Sequence, residues 1–145
     1  MLFSRLHPLT DGKKESGLPV DTKSSIVACA TARPMIPILT SQAVVMCAHG
    51  GQVMLIPRQG TVLLQGAPAM CEPDLLGAPI VGCALPPTPT TKPCTTVVST
   101  LPGSTSLKVL IGGRPAYVAT LSGMTDGVPP SPITVVSPGQ MLVQG

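Results

Sequence analysis

Proline and glycine limit what this chain can fold into more than any other feature. The 145 residues include 18 prolines and 15 glycines, so an interruption occurs every few positions. Proline lacks the backbone donor that a helix interior needs, and glycine disfavours a helix by about 1 kcal/mol relative to alanine. Long helices are therefore excluded. Short strands joined by tight turns fit this spacing, and we predict an all-β fold.

The apolar residues limit the core as well. Hydrophobic residues make up 43% of the chain, yet it contains no tryptophan, one tyrosine and one phenylalanine. Aromatic rings usually supply much of a core's buried area, so their near absence predicts a narrow core of aliphatic side chains. A chain of this length forms one domain, or one domain with a tail.

Charge and hydropathy exclude several classes of partner. Only 10% of the residues are charged, and about half of these fall in the first 23 positions. No basic stripe with aromatic residues follows, so nucleic-acid binding is not expected. No apolar run reaches the roughly 20 residues of a membrane-spanning helix, and the N-terminus lacks the apolar core of a signal peptide. We expect a soluble protein whose apolar surface is partly covered by a partner.

The chain divides into two parts by composition. Residues 1 to 23 are polar and charged, and residues 24 to 42 carry an apolar stretch broken by Pro34 and Pro37. Such a segment favours an extended path over a helix. We predict an extended N-terminal arm over residues 1–42 and a folded domain over residues 43–145.

The stretch from Val44 to Gly66 begins with Cys47-Ala48-His49-Gly50-Gly51, in which two metal-capable side chains lie two positions apart. Two apolar runs follow, 53–56 and 61–65, separated by Pro57-Arg58-Gln59-Gly60. Aliphatic runs bounded by proline and glycine are typical of a β-hairpin, so these two runs are predicted to pair.

An internal repeat indicates the architecture. Residues 61–70 (TVLLQGAPAM) and 108–117 (KVLIGGRPAY) share a Val-Leu-aliphatic-x-Gly-x-Pro-Ala pattern, and residues 139–145 (GQMLVQG) match 60–66 (GTVLLQG). Repeated units normally bury their apolar faces against one another. Three related strand–turn units predict a small β-structure with approximate threefold internal symmetry.

These residues resemble a known family. The Cys-x-His-Gly-Gly motif, the repeat, Gly82-Cys83 and Pro93-Cys94 are similar to those of PAAR-like spike-tip proteins of contractile injection systems, which include type VI secretion systems and phage tail-like particles. The resemblance covers residues 43–145. Only Pro68-Ala69 and Pro115-Ala116 retain the Pro-Ala of the family's Pro-Ala-Ala-Arg repeat.

The resemblance implies a fold, a function and a partner. The fold is a short conical β-structure with pseudo-threefold internal repeats, docked by its base on a trimeric β-helical spike protein, with one copy per trimer. Such a tip caps and sharpens the spike and aids membrane puncture, touching the target membrane only transiently. It is assembled in the cytoplasm and delivered outward on contraction, and it binds neither nucleic acid nor a small-molecule substrate.

The cysteines suggest a structural metal. Their odd number without a signal peptide argues against a disulfide framework. Zinc takes four Cys or His ligands, and His49 is the only histidine in the predicted domain. Cys47 lies two positions before His49 and would share its strand face. With the resemblance implying one structural zinc ion per chain, the predicted ligands are Cys47, His49, Cys83 and Cys94.

Other assignments of the cysteines remain open. Cys71 corresponds to Val118 in the second repeat, which favours packing, although Cys71 could replace one of the four ligands. Cys29 is the weakest candidate. Free cysteine is among the most buried residue types, so the thiols could also be plain core residues, with His49 hydrogen-bonded in a turn.

No pattern indicates catalysis. The predicted domain has no second histidine to act as a base, and its acidic residues, Glu72, Asp74 and Asp126, are scattered. We therefore expect a protein that is not an enzyme. The alternatives to a spike tip are a free-standing zinc-stabilised β-module that acts as a protein-interaction adaptor, and a redox sensor with exposed thiols.

Overall fold

The computed structural model describes residues 35–145, and these residues form strands, turns and loops without any helix. These residues belong to one compact unit. None of its elements could cross a membrane as a long apolar helix. Every strand pair is antiparallel, which confirms the all-β prediction for this part of the chain. The strands are β1 Val44–Cys47, β2 Gln52–Val53, β3 Leu63–Leu64, β4 Ala67–Pro68, β5 Ile80–Val81, β6 Val97–Thr100, β7 Thr105–Ile111, β8 Arg114–Tyr117, β9 Ser122–Thr125 and β10 Pro132–Ser137.

Six strands form one sheet in the order β5-β2-β1-β10-β9-β6. Its two outer strands also meet, because the Ile80 amide donates to the Thr95 carbonyl at 2.8 Å and the Val97 amide donates to the Ala78 carbonyl at 3.0 Å. The sheet therefore closes on itself, and we call this closed sheet the barrel. Closure pairs the backbone groups that an open edge would leave exposed.

Small aliphatic side chains fill the barrel. Val45, Val53, Val97 and Ile133 are each at most 1% exposed, and they belong to one continuous apolar cluster. They alternate with exposed or half-buried residues along their strands, as expected when one face of a sheet points inward. Tyr117 is the one aromatic residue in the described core, in agreement with the narrow aliphatic core predicted from composition.

Three short segments, residues 36–40, 67–71 and 114–118, meet at one end of the barrel. The Met70 amide donates to the Leu39 carbonyl at 2.9 Å, the Tyr117 amide to the Met70 carbonyl at 2.9 Å, and the Leu39 amide to the Tyr117 carbonyl at 2.8 Å. Leu39, Met70 and Tyr117 each donate to one of the other two segments and accept from the remaining one. We call this closed set of hydrogen bonds the cycle.

A second set of hydrogen bonds joins the same three segments in the opposite sense, with donors two residues after and acceptors two residues before the residues of the cycle. These bonds run from the Ser41 amide to the Pro68 carbonyl (2.9 Å), from Glu72 to Pro115 (3.0 Å), and from Ala119 to Pro37 (2.8 Å). Single bridges at Thr40–Ala69, Cys71–Ala116 and Val118–Ile38 complete the pattern. The three segments are therefore joined with the same offset at every junction.

The cycle separates two apolar clusters. Leu39, Met70 and Tyr117 belong to the cluster that fills the barrel. The residues just before them, Ile38, Ala69 and Ala116, belong to a second cluster together with Cys71 and Ile111. Neighbouring residues of an extended chain point to opposite faces, so one short segment can supply both clusters.

Two hairpins extend from the side of the cycle that carries the second cluster. In β3–β4 the turn residues Gln65 and Gly66 have φ angles of 53° and 83°, and in β7–β8 Gly112 and Gly113 have φ angles of 59° and 78°. Two consecutive left-handed residues are what a type I′ hairpin turn requires.

The predicted pairing of residues 53–56 with 61–65 is wrong. Val53 pairs with Ile80 of β5, while Leu63 pairs with Pro68. The chain reverses at Gln65-Gly66 rather than at 57–60. Within 57–60, the Gln59 side chain instead accepts hydrogen bonds from the Thr61 and Val62 amides, both at 2.9 Å, and holds a local loop.

A third pairing at the cycle joins segments that are distant in sequence. The Ile38 amide donates to the Val143 carbonyl at 3.1 Å, which matches the bond from the Ala69 amide to the Val62 carbonyl at 3.0 Å. Hydrogen bonding therefore aligns Val143 with Val62, whereas the sequence match aligned Met141 with it. The register differs by two residues, which keeps the same side chains on the same face.

The start of the compact unit differs from the boundary predicted between residues 42 and 43. Ile38, Leu39 and Thr40 are each at most 2% exposed, because they supply one of the three segments of the cycle. Residues 35–42 are therefore part of the compact unit. The remainder of the predicted arm, up to residue 34, lies outside the described residues.

Candidate metal centre

The four predicted ligands lie together at the end of the barrel opposite the cycle. Strand β1 starts beside the cycle, where the Ala43 amide donates to the Thr40 carbonyl, and it ends at Cys47. His49 lies in the turn that follows, Cys83 comes two residues after β5, and Cys94 precedes β6. The ligand atoms of all four residues lie within 4.8 Å of one another.

The spacing of these atoms suits a metal ion. Tetrahedral zinc has bonds of about 2.3 Å to sulfur and about 2.0–2.1 Å to nitrogen, which places neighbouring ligand atoms about 3.5–3.8 Å apart. Cys94 Sγ and His49 Nδ1 are 3.5 Å apart. A contraction of about 1 Å at the widest pair would complete the geometry.

Two glycines shape the turn that carries Cys47 and His49. Gly50 adopts a left-handed φ of 83°, and its amide donates to the Cys47 carbonyl at 3.0 Å. Gly51 is required for a different reason. A Cβ atom there would lie 2.8 Å from Ile80 Cγ2 and 3.0 Å from the Cys83 backbone. The absence of a side chain at Gly51 therefore lets the two halves of the site approach.

A half-buried carboxylate, that of Asp126, holds the segment after Cys94. Asp126 Oδ1 accepts from the amides of Thr95 at 2.7 Å and Thr96 at 2.8 Å, and Oδ2 pairs with Lys92 Nζ at 2.7 Å. Burial opposes ionisation of Asp126, but the hydrogen bonds from Lys92 and Thr95 outweigh it and lower the pKa of this carboxyl well below its ordinary value. Asp126 thereby fixes the chain on both sides of Cys94.

Each sulfur in the site accepts a hydrogen bond. Cys47 Sγ accepts from the Gly51 amide at 3.2 Å, Cys83 Sγ from the Cys94 amide at 3.4 Å, and Cys94 Sγ from Thr125 Oγ1 at 3.1 Å. Donors of this kind favour the thiolate, the form of cysteine that binds metals.

The pKa values of the Cys83 and Cys94 thiols shift in opposite directions, although both sulfurs accept a hydrogen bond. Burial works against ionisation of Cys83, but the backbone amides of Leu85 and Cys94 outweigh it, so the pKa of Cys83 falls below its ordinary value. Cys94 is more deeply buried. Burial raises the pKa of Cys94 despite the hydrogen bond from Thr125.

Two residues of the site have no counterpart in the sequence prediction, Thr125 and Gly127. A Cβ atom at Gly127 would lie 2.8 Å from Cys94 Sγ, so this glycine makes room for the sulfur. Both residues lie more than 30 positions from Cys94, and no local pattern marks them.

The other cysteines are separate from the site. Cys71 lies fully buried in the second apolar cluster, where burial raises the pKa of its thiol. This position agrees with the packing role predicted for it. Cys29 lies outside the described residues.

Comparison of the chain with protein-family models, with curated proteins and with solved structures found no match. What the site can bind is therefore inferred from its own donor atoms. Three sulfurs and one imidazole nitrogen can surround a divalent ion completely, and four protein ligands leave no open position for a substrate. Closed sites of this kind are structural.

Proposed function

We propose that this protein is a PAAR-like tip that caps and sharpens the trimeric spike of a contractile injection system. The observation that carries the proposal is the cycle. Three segments of one chain are joined by hydrogen bonds with the same offset, so a single chain presents three similar corners. A cap seated on a partner of three identical chains needs this internal arrangement, because each corner must match one partner chain.

The exposed apolar surface supports the same proposal. Each corner carries a solvent-facing leucine, with Leu63 54% exposed, Leu110 60% and Leu142 77%. Further exposed aliphatic residues accompany them, namely Val62, Leu107 and Met141. Single exposed leucines are common, but apolar groups repeated at three related corners indicate a surface that a partner covers.

The metal centre supplies the stability that a narrow tip requires. Thiolate and imidazole ligands together suit zinc, and a structural zinc contributes on the order of 10 kcal/mol in small domains. The ion would join the turn after β1 to the chain flanking β5 and β6, at the end of the barrel away from the exposed leucines. A zinc ion at that position holds the end of the tip that meets the membrane.

Elemental analysis of the purified protein tests whether the site holds a metal ion. We expect about one zinc per chain, and removal by a chelator should lower the melting temperature. His49→Ala and Cys83→Ser should lose the metal, whereas Cys71→Ala should keep it, since Cys71 lies outside the site. A purified protein that contains no metal, and whose melting temperature does not change when a chelator is added, would refute the site.

The tip function is tested by mixing the protein with a trimeric β-helical spike protein from the same genome and measuring the mass of the complex by native mass spectrometry. We expect one copy per trimer. Combined Leu63→Asp, Leu110→Asp and Leu142→Asp substitutions should abolish binding without lowering the melting temperature, and Val98→Asp on the exposed barrel wall should not. A complex of equal numbers of both chains would favour a protein-interaction adaptor instead.

A further inference from the structure

We infer that the Thr125 hydroxyl is a dedicated hydrogen-bond donor to Cys94 that strengthens metal binding at this sulfur. This inference rests on the proposed metal centre, and it assigns Thr125 as a positioning residue that acts through Cys94.

The direction of the hydrogen bond follows from the partners of the hydroxyl. Thr125 is 1% exposed, and its Oγ1 lies 3.1 Å from Cys94 Sγ. The Ser131 amide donates to the same oxygen, also at 3.1 Å. A cysteine that binds a metal is a thiolate without a proton, so the one proton of the hydroxyl points to the sulfur while a lone pair of Oγ1 accepts from Ser131.

The charge of the site explains why such a donor is needed. Three thiolates around a divalent ion leave a net charge of −1, since 2 − 3 = −1, and Cys94 is nearly fully buried. Cys47 and Cys83 receive backbone amides, so among the residues that the structure describes Thr125 is the one side chain, apart from the four ligands themselves, that donates to a sulfur of the site. Groups that hydrogen-bond to metal ligands typically change metal affinity by about 10- to 100-fold.

The same network reaches the other half of the site. Ser131 Oγ accepts from the Ala48 amide at 3.1 Å, and Ala48 lies between Cys47 and His49. The turn between β9 and β10 therefore contacts the chain at both ligand pairs. Thr125 couples the orientation of the Cys94 sulfur to that turn.

The test compares Thr125→Val with Thr125→Ser, using cobalt(II) as a spectroscopic probe. Valine keeps the shape and removes the donor, whereas serine keeps the donor. In a chelator competition we expect Thr125→Val to bind cobalt about 10- to 100-fold more weakly than the wild type. Its sulfur-to-cobalt charge-transfer band should move to lower energy, because a sulfur without the hydrogen bond releases electrons more readily. Thr125→Ser should restore both properties.

Each outcome has one meaning. If Thr125→Val binds cobalt with wild-type affinity and an unshifted band, the inference is wrong even though the metal site stands. If the wild type itself binds no cobalt, the proposed metal centre fails.

A measurement on the unaltered protein covers the case in which Thr125→Val does not fold. In protein loaded with an NMR-active cadmium isotope, the Thr125 hydroxyl proton should exchange slowly and show a coupling to the metal across the hydrogen bond. Rapid exchange without coupling would overturn the inference.

Discussion

Glycines near the metal centre show how single residues determine whether the ligands can meet. Gly50 provides a left-handed turn, while Gly51 and Gly127 provide space beside Cys83 and Cys94. The need for glycine at Gly51 and Gly127 is purely steric, because neither residue adopts a left-handed φ. Substitutions at these two positions therefore isolate the effect of close approach on the site.

Gly127→Ala is expected to weaken metal binding without unfolding the protein. The added methyl group would lie 2.8 Å from Cys94 Sγ and 3.3 Å from the Lys92 carbonyl oxygen, so the sulfur must move away from its partners. Overpacking of this kind costs about 1–3 kcal/mol. Chelator competition should show a loss of zinc affinity of about tenfold or more, since 1.4 kcal/mol corresponds to a factor of ten.

Gly51→Ala should act in the same direction, because its methyl group meets the Cys83 backbone. Gly60→Ala is the matched control, since a Cβ atom at Gly60 meets nothing within 4 Å and its φ is not left-handed. Wild-type zinc affinity in both Gly51→Ala and Gly127→Ala would contradict the steric explanation.

Tyr117 is expected to make the protein sensitive to alkaline pH. Its side chain is fully buried, and burial raises the pKa of Tyr117 to about 12. The unfolded chain has an ordinary tyrosine pKa of about 10. Below that value the phenol is neutral in both states, so stability is unaffected. As the pH rises from about 10 to 12, only the unfolded state ionises, and stability falls.

The measurement is direct because Tyr117 is the only tyrosine in a chain without tryptophan. Phenolate absorbance should appear together with loss of the near-ultraviolet circular dichroism signal. A phenol that titrates near its ordinary pKa while the protein stays folded would disprove the buried position.

At the scale of elements, apolar runs indicate strands but do not choose their partners. β7 and β8 follow one another in the chain and pair as a hairpin, as their apolar runs and the intervening Gly112-Gly113 indicate. The run at 53–56 was assigned to the wrong partner, because the left-handed Gln65 that reverses the chain is not a residue that normally marks such a turn. Local composition could not reveal the pairing of 36–38 with 143–145 either, since those segments lie about a hundred residues apart.

The candidate site was easier to predict than the pairings. Cys47, His49, Cys83 and Cys94 carry their chemistry in their own side chains, and the structure brings all four together. Thr125 and Gly127 contribute only through their distance to Cys94. That distance depends on the pairing of β9 with β6. No residue type in the sequence indicates which strands pair in this way.

Two glutamines occupy matching positions at two corners of the cycle. We expect their substitution to lower the free energy of unfolding by unequal amounts. Gln140 Nε2 donates to the carbonyls of Ile38 and Val143, both at 2.7 Å, and Gln59 Nε2 donates to those of Ala69 and Val62 at 2.7 and 3.1 Å. Gln140 is 4% exposed, whereas Gln59 is half-buried, so water can replace only the bonds of Gln59.

Gln140→Ala should therefore lower the free energy of unfolding by about 2–3 kcal/mol, and Gln59→Ala by about 1 kcal/mol or less. Urea unfolding of the zinc-loaded protein, followed by Tyr117 fluorescence, measures both. Equal losses would show that burial does not distinguish the two corners.

At the scale of the whole molecule, the compact unit is held at its two ends by different means. One end is closed by the backbone hydrogen bonds of the cycle, and the other carries the metal ligands. The aliphatic interior of the barrel lies between them. Each end can therefore be loosened while the other is observed.

Removal of the metal is expected to loosen one end selectively. Amides that bond within the site, those of Gly51, Ala84 and Cys94, should exchange with deuterium much faster after chelation. The cycle amides of Leu39, Met70 and Tyr117 should stay protected, because the barrel core separates them from the site. Hydrogen-exchange mass spectrometry on loaded and chelated protein makes the comparison. Uniform loss of protection would mean that the unit unfolds as a whole without its metal.

The third corner of the cycle also sets an order of events when the protein is made. Gln140 and Ile38 are 102 positions apart, so this corner cannot form until almost the entire described chain has left the ribosome. The four metal ligands have all been synthesised by Cys94, long before that point. Closing a loop of this length is slow compared with local hairpin formation. The metal-binding cysteines and the histidine of a nascent chain would thus be present while the third corner of the cycle is still unformed. Cellular zinc could therefore bind them before folding is complete.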